Sequence, residues 1–381
     1  MKITIVCDVL GEENNGTTIA AMNLIRSLKT KGHQVHILCP DADKKDEPGY
    51  YVVPTYNLGP INPYVEKNGV RLAKKDDAII MQAILNADIA HIMMPFSLGR
   101  RSAFLAHEAG IPVSGGFHAM SENFTSHIFM KDSKLANRLT YSYFSGLYQL
   151  CDAIHYPTQF LRDLYEGMYG ETNGYVISNG VNSIFHFQKA EKPLEYADKF
   201  VIVSTGRYSK EKAQSRLIDA VAMSKYKDQI QLIFAGSGPL KEKLMKQSGC
   251  LPVPPIFSFF PHGEMASILN YADLYVHPAE IEAEGIACLE AISCGLVPII
   301  SNSPRCATKE YAICDKNLFQ FDSSLDLSKK IDWWIEHPDE KKECSQKYIA
   351  YAKGQFDQQR CMDKMECMFL ETIQRRVNGN E

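Results

Sequence analysis

The 381 residues carry 41 lysines and arginines against 45 aspartates and glutamates, for a net charge of −4, and 45% are hydrophobic. That length predicts two domains of Rossmann size, and the mildly acidic balance argues against a nucleic-acid binder, which is usually basic. No run of about 18 apolar residues occurs, so no transmembrane helix is expected. The N-terminal apolar run is too short for a signal peptide and is ended by Asp8. The eleven cysteines are odd in number and include no Cys-x-x-Cys pair. Free thiols in a reducing cytosol are expected, with Cys7, Cys39, Cys288 and Cys294 in apolar, buried patterns.

In chain order, residues 3–7 read as a first parallel strand. A loop over 8–15 leads to Gly16, after which Ile19, Met22, Leu24, Ile25 and Leu28 fall at helical spacing. A glycine that opens a helix just after a strand lets backbone N–H groups approach an anion, or serves as a plain N-cap. No Gly-x-Gly-x-x-Gly accompanies it, so a dinucleotide site has poor support. Gly32 and His33 close the helix, and 34–38 make a second strand. The run 66–75 gathers Lys67, Arg71, Lys74 and Lys75. Farther on, Lys131, Lys134 and Arg138 interleave with Phe124, Phe129, Tyr141, Tyr143 and Phe144. Either stretch suits a solvated face, and either suits a surface that meets anionic lipid headgroups. Strands are expected at 89–94 and 112–117. The second ends at His118, a polar residue at a strand's carboxyl end, where α/β domains face their ligands. His127 is the nearby alternative.

Residues 153–158 make another strand and reach a helix start at Thr158. Asn179-Gly180-Val181 then leads to a domain boundary near 180, and the polar stretch 186–199 precedes a new first strand at 200–205. Behind that strand Arg207 and Lys212 flank a loop-to-helix turn, where both can converge on one anion. A strand ending near Ala235 turns on Gly236 and Gly238. A further strand is expected at 256–260, with the loop 261–264 behind it.

The strand 274–276 runs into a loop crowded with Glu280, Glu282 and Glu284. A helix follows, opened at Gly285, with Glu290 about two turns in, and closed by Gly295 before a strand at 297–300. Three bunched carboxylates repel one another unless something polar or cationic lies between them. Carboxylates accept hydrogen bonds from hydroxyls, so a sugar, or the ribose of a nucleotide, fits between Glu282 and Glu290. Backbone N–H groups around Gly285 point into the same space. A solvated acidic loop accounts for the same residues. Arg305, after the next strand, reaches phosphate or stays on the surface. Residues 324–351 are expected to be helical, and the tail 356–376 sets Met362, Met365, Met368, Phe369 and Ile373 on one helical face.

Glu282 and Glu290, seven residues between them and followed by Ala291 and Gly295, resemble the Glu-x7-Glu signature of the retaining family 4 glycosyltransferases of the GT-B fold. Where that family usually has Phe-Gly, this chain has Glu284-Gly285. Gly206-Arg207 with Glu211-Lys212 resembles the family's Gly-Arg…Glu-Lys segment. Gly236-Ser237-Gly238-Pro239 resembles its Gly-x-Gly-Pro loop, and Asn179-Gly180-Val181 its lead into the second domain. The resemblance implies an α/β GT-B fold: two Rossmann-like domains, 1–180 and 181–355, facing across a cleft, with a C-terminal helix, 356–381, crossing back to the first.

By the same resemblance Arg207 and Lys212 bind the donor diphosphate, with Gly16 by the donor phosphates and Gly236 and Gly238 near the nucleotide. Glu284, Gly285 and Ile286 line the donor, Glu290 holds ribose hydroxyls, Glu282 positions the sugar and His118 contacts it. His118, Glu282, Arg207 and Lys212 form the expected catalytic set. No side-chain nucleophile and no metal or other cofactor is expected, in keeping with the lack of an Asp-x-Asp motif.

The expected activity is transfer of a hexose, glucose or galactose, from a nucleotide-sugar such as a UDP-sugar to a membrane lipid such as diacylglycerol. The protein would be cytoplasmic and peripheral at the inner face of the membrane. A soluble sugar or polysaccharide acceptor, a GT-B sugar-nucleotide epimerase, and a two-domain sugar-binding protein without catalysis are the other readings. The oligomeric state is not legible in the sequence.

Overall fold

The computed structural model describes residues 1–8, 16–57, 59, 73–127 and 130–378. Most of the basic run 66–75, the loop 9–15, Phe129 and the side chain of His127 lie outside the described residues. The chain divides into two compact units, Met1–Asn179 with Cys361–Glu381, and Gly180–Arg360.

The first unit is built on strands β1 (Lys2–Val6), β2 (Gln34–Cys39), β3 (Tyr50–Val52), β4 (Ile89–Ile92), β5 (Val113–Gly116), β6 (Ala153–Tyr156) and β7 (Gly174–Val176). They pair in the order β3-β2-β1-β4-β5-β6-β7, and every pairing is parallel. Ile3, Ile5, Ile37, Ile89 and Ile92 are fully buried. Both faces of such a sheet are covered, so its strands read as near-continuous apolar runs. Some of the intervening helices start where polar side chains satisfy the free N–H groups. Asp76 accepts from the amides of Ala78 and Ile79 ahead of helix Asp77–Ile84, and Thr158 accepts from Leu161 ahead of helix Gln159–Tyr169.

The second unit carries β8 (Phe200–Thr205), β9 (Ile230–Ala235), β10 (Ile256–Ser258), β11 (Leu274–His277), β12 (Pro298–Ser301) and β13 (Leu318–Phe319). Their order is β10-β9-β8-β11-β12-β13, again all parallel. Val203, Ile233, Leu289 and Trp334 belong to one buried apolar cluster within this unit.

Some elements differ from the sequence expectation. The helix expected at 324–351 is two helices, Ser324–Glu336 and Pro338–Ala352. Proline has no N–H to continue the first helix, but fits the opening turn of the second, where no N–H is needed. The helix carrying Glu290 is Ile286–Ser293, so Glu290 comes about one turn in rather than two. In the last helix, Gln358–Asn378, the buried stripe of Met362, Met365, Met368 and Phe369 continues to Thr372, whereas Ile373 is only half-buried. Position 372 lies three and four residues beyond Phe369 and Met368 and so continues the middle of the stripe, whereas 373 lies at its edge. All eleven cysteines are free; Cys7, Cys39, Cys288 and Cys294 are buried, while Cys250, Cys314 and Cys367 are exposed. Among the described residues no helix is long and apolar enough to cross a membrane.

Candidate active site

In the second unit the strand order reverses between β8 and β11. Open parallel sheets bind ligands at that switch point, outside the carboxyl ends of the strands. The segments leaving β8, β9, β11 and β12 there are 206–213, 236–239, 278–285 and 302–307.

Backbone contacts lace these segments together. Gly206 N–H donates to Ala235 (2.9 Å), Tyr208 N–H to Ser237 (2.8 Å) and Leu240 N–H to Tyr208 (3.1 Å). The packing leaves no room for side chains at the two glycines: a Cβ on Gly236 would lie 2.1 Å from the carbonyl oxygen of Gly206, and one on Gly238 2.6 Å from the backbone of Tyr208. On the other side, Glu280 N–H donates to Glu211 (2.7 Å), Glu282 N–H to Arg305 (3.1 Å), and Ala307 N–H back to Glu282 (2.9 Å). Gly285 takes the left-handed φ of +80° and opens helix Ile286–Ser293. Ala213, a residue with a Cβ, is also left-handed at φ 50°. That backbone is costly without glycine and persists where surroundings enforce it, commonly at functional sites.

Two of the three crowded carboxylates, Glu280 and Glu282, are separated into distinct ion pairs, and their cations come from the protein itself. Lys212 Nζ donates to the Glu282 carboxylate, and His277 Nε2 lies 3.2 Å from it. Arg305 pairs with Glu280, and Arg216 stands 3.6 Å from the same carboxylate. Arg305, which the sequence offers equally to phosphate or to the surface, has Glu280 as a partner. Burial pushes the Glu282 carboxyl up, but Lys212 and His277 outweigh it and hold it down at about 2. Burial lowers Lys212 while Glu282 raises it, with a net upward shift. Burial lowers His277 against the pull of Glu282. Thr205 Oγ1, the Tyr275 hydroxyl (2.8 Å) and His277 Nδ1 (3.3 Å) extend this chain of contacts back into the sheet.

Arg207 lies half-buried on the same turn as Lys212, and its carbonyl accepts from Gln214 Nε2 at 2.8 Å. Glu284 is buried and its carbonyl accepts from the Tyr311 hydroxyl. Ile286 is half-buried at the start of the helix. Glu290, on the same helix, makes no ion pair among the described residues, and burial pushes its carboxyl up to about 8. Burial without a countercharge favours its protonated form.

Gly16 and His118 belong to the first unit. Gly16 is exposed at the head of helix Gly16–Thr30. His118 is buried; its ring packs edge-on to His155 at 5.1 Å, and a Cβ on Gly116 would meet its Nε2 at 2.4 Å. Strand order reverses in this unit between β1 and β4. There Asp8 is buried, its carboxyl raised by burial to about 7 even though the N–H of Gly99 points at it from 3.4 Å. Asp8, Arg216 and His277 join these sites without a motif of their own in the sequence. His277 ends its strand just as His118 follows one, so the criterion that singled out His118 applies to it.

Two family profiles match the chain: "Glycosyltransferase Family 4" over residues 14–183 and "Glycosyl transferases group 1" over 186–353. A GDP-mannose-dependent alpha-mannosyltransferase of Corynebacterium glutamicum is 23% identical over 327 residues, covering 79% of this chain and 72% of that protein. An alpha-monoglucosyldiacylglycerol synthase of Streptococcus pneumoniae is 23% identical over 322 residues, covering 80% and 72%. Among solved structures, HepE of Anabaena, in complex with UDP and glucose, aligns with TM-score 0.74 at 16% identity, over 97% of this chain and 100% of that one. The fold is that of the GT-B glycosyltransferases, with a Rossmann-like sheet in each unit. The chain belongs to glycosyltransferase family 4.

Proposed function

We propose that the protein is a retaining hexosyltransferase that moves a sugar from a nucleotide-sugar, a UDP-hexose in the first instance, to a membrane lipid. The observation that carries this reading is the Lys212–Glu282 ion pair at the switch point of the second unit. Glu282 holds the Lys212 ammonium in place before any ligand arrives. An incoming diphosphate then competes for that cation and releases the carboxylate to accept a sugar hydroxyl.

Cleavage of the C1–O bond passes through an oxocarbenium-like state and leaves negative charge on the diphosphate. Lys212 and Arg207 oppose that charge where it develops. The acceptor hydroxyl forms the new bond at C1, and its proton passes to the departing phosphate oxygen, so no side-chain nucleophile and no metal are needed. Gly16, His118, Glu284, Gly285, Ile286 and Glu290 keep the roles that family resemblance gives them. Gly236 and Gly238 act by setting the shape of the donor loop.

A lipid acceptor is favoured by the relative named as a glucosyldiacylglycerol synthase and by helix Lys134–Tyr148. That helix exposes Leu135 (69%), Leu139 (63%) and Tyr143 beside the exposed Lys134 and Arg138. Apolar side chains flanked by cations suit the interface of an anionic membrane, on the cytoplasmic side in this reading. Tyr141 and Phe144, from the same stretch, are core residues and take no part.

The test is a thermal-shift screen of UDP-, GDP- and ADP-hexoses, followed by transfer onto diacylglycerol in anionic and neutral vesicles, with the anomeric configuration of the product read by NMR. Lys212→Ala is expected to lower kcat by about a hundred- to a thousand-fold, the usual effect of removing one donor to a developing oxyanion. Equal transfer onto soluble sugars without lipid defeats the lipid reading. An inverted anomer defeats retention, and conversion of the donor sugar without any acceptor defeats transfer itself.

A further inference from the structure

Three histidines of the first unit converge although they are remote in sequence. His91 lies on β4, His155 on β6, and His118 two residues beyond β5, the strand between them. One nitrogen from each ring lies within 4.8 Å of the other two. All three side chains are more than nine-tenths buried. His91 Nε2, His118 Nε2 and His155 Nδ1 have no hydrogen-bond partner among the described residues. They line a small cavity together with Met93, Met362 and Met365.

On His155 and His91 the opposite nitrogen is anchored. His155 Nε2 donates to the carbonyl of Ile177 at 2.6 Å. That bond fixes the tautomer and leaves Nδ1 as a bare lone pair inside the protein. His91 Nδ1 is 2.9 Å from the hydroxyl of Ser114. Metal-bound histidines are oriented in this way, by a carbonyl or hydroxyl on the far nitrogen. Gly116 supplies the space: any Cβ there would strike His118 Nε2 at 2.4 Å.

We propose that His91, His118 and His155 form a binding site for a borderline transition-metal ion, zinc(II) in the first place. Three imidazoles are a set that zinc accepts, with a water or a neighbouring group in the fourth position. Zinc–nitrogen bonds of about 2.0–2.1 Å put tetrahedral ligand atoms about 3.3 Å apart, so the rings must close by small rotations when the ion enters. The ion would join three neighbouring strand segments and give each bare nitrogen a partner. It would occupy the Nε2 of His118 and leave Nδ1 available for the sugar hydroxyl. The inference concerns a site in the first unit and does not depend on the proposed chemistry at Lys212 and Glu282 in the second.

The experiment uses the full-length protein, stripped with a chelator and dialysed. It is titrated with zinc alone, with cobalt(II) as a spectroscopic probe, and with copper(I). The expected result is one zinc per chain, a raised Tm, and visible absorption of bound cobalt that zinc displaces. His91→Ala should abolish stoichiometric binding. Because that variant empties a buried position, Ser114→Ala serves as the second: it keeps all three ligands and should weaken zinc about 10- to 100-fold through the lost anchor. Zinc retention by wild-type protein no greater than by His91→Ala overturns the proposal. Unchanged affinity in folded Ser114→Ala also overturns it, as does binding of copper(I) with none of zinc.

Discussion

At the scale of single residues, two glutamates on neighbouring segments have opposite electrostatic fates. Glu282 faces Lys212 and His277 and is held ionised down to about pH 2. Glu290 has burial without a countercharge, and its carboxyl rises from an ordinary 4.5 to about 8. A carboxyl raised on folding favours the protonated native state. Its contribution is therefore complete below about pH 4.5 and is lost as pH climbs through about 8. Glu290→Gln, which cannot ionise, should remove that loss. Urea unfolding of wild type and variant across this range should show the wild type falling behind as pH rises; parallel curves would mean that Glu290 titrates normally. Glu282 works in the other direction, stabilising above about 4.5 and ceasing to do so as the pH approaches 2.

At the scale of elements, the loops behind β8 and β9 are locked by glycines that cannot be replaced in place. Gly236→Ala would drive a methyl into the Gly206 carbonyl, 2.1 Å away. Overpacking of this kind costs about 1–3 kcal/mol, and the displaced partner is the residue preceding Arg207. A lowered Tm together with a raised KM for the nucleotide-sugar is expected, measured by thermal melting and initial rates; a Tm effect alone would separate the loop from donor binding. Helix Lys134–Tyr148 makes a contrasting prediction. Leu135 and Leu139 face outward, so Leu135→Glu with Leu139→Glu should leave Tm nearly unchanged. The same change should sharply reduce sedimentation with anionic vesicles. Undiminished vesicle binding would remove this face from the lipid reading.

At the scale of the whole molecule, the Gly180–Arg360 unit is continuous in sequence and holds its own apolar core together with Arg207, Lys212, Glu282 and Glu290. A continuous unit with its own core can fold alone. Expressed as residues 180–360 it should unfold cooperatively and gain Tm on adding UDP, followed by circular dichroism. A molten fragment would show that its core depends on the remainder of the chain. The first unit is discontinuous, closed by Cys361–Glu381, and truncation before Met362 should destabilise it by removing Met365, Met368 and Phe369 from its interior.

The alternating strands and helices were legible in the sequence because burial on both faces of a parallel sheet writes unbroken apolar runs, as at Phe200–Val203 or Leu274–Val276. The glycines at 206, 236, 238 and 285 were legible because close backbone approach and left-handed turns admit little else. Pairing was not legible. Nothing local says that Lys212 meets Glu282 while Glu280 goes to Arg305, since both choices follow from which strands lie side by side. The raised pKa of Glu290 comes from what packs over it, and the meeting of His91, His118 and His155 from the adjacency of β4, β5 and β6. The sequence by itself determined the elements and the glycine-shaped loops, because these depend on local sterics and hydrophobic period. Only the tertiary structure decided charge partners, protonation states and the histidine cluster, because these depend on distances and burial among segments remote along the chain.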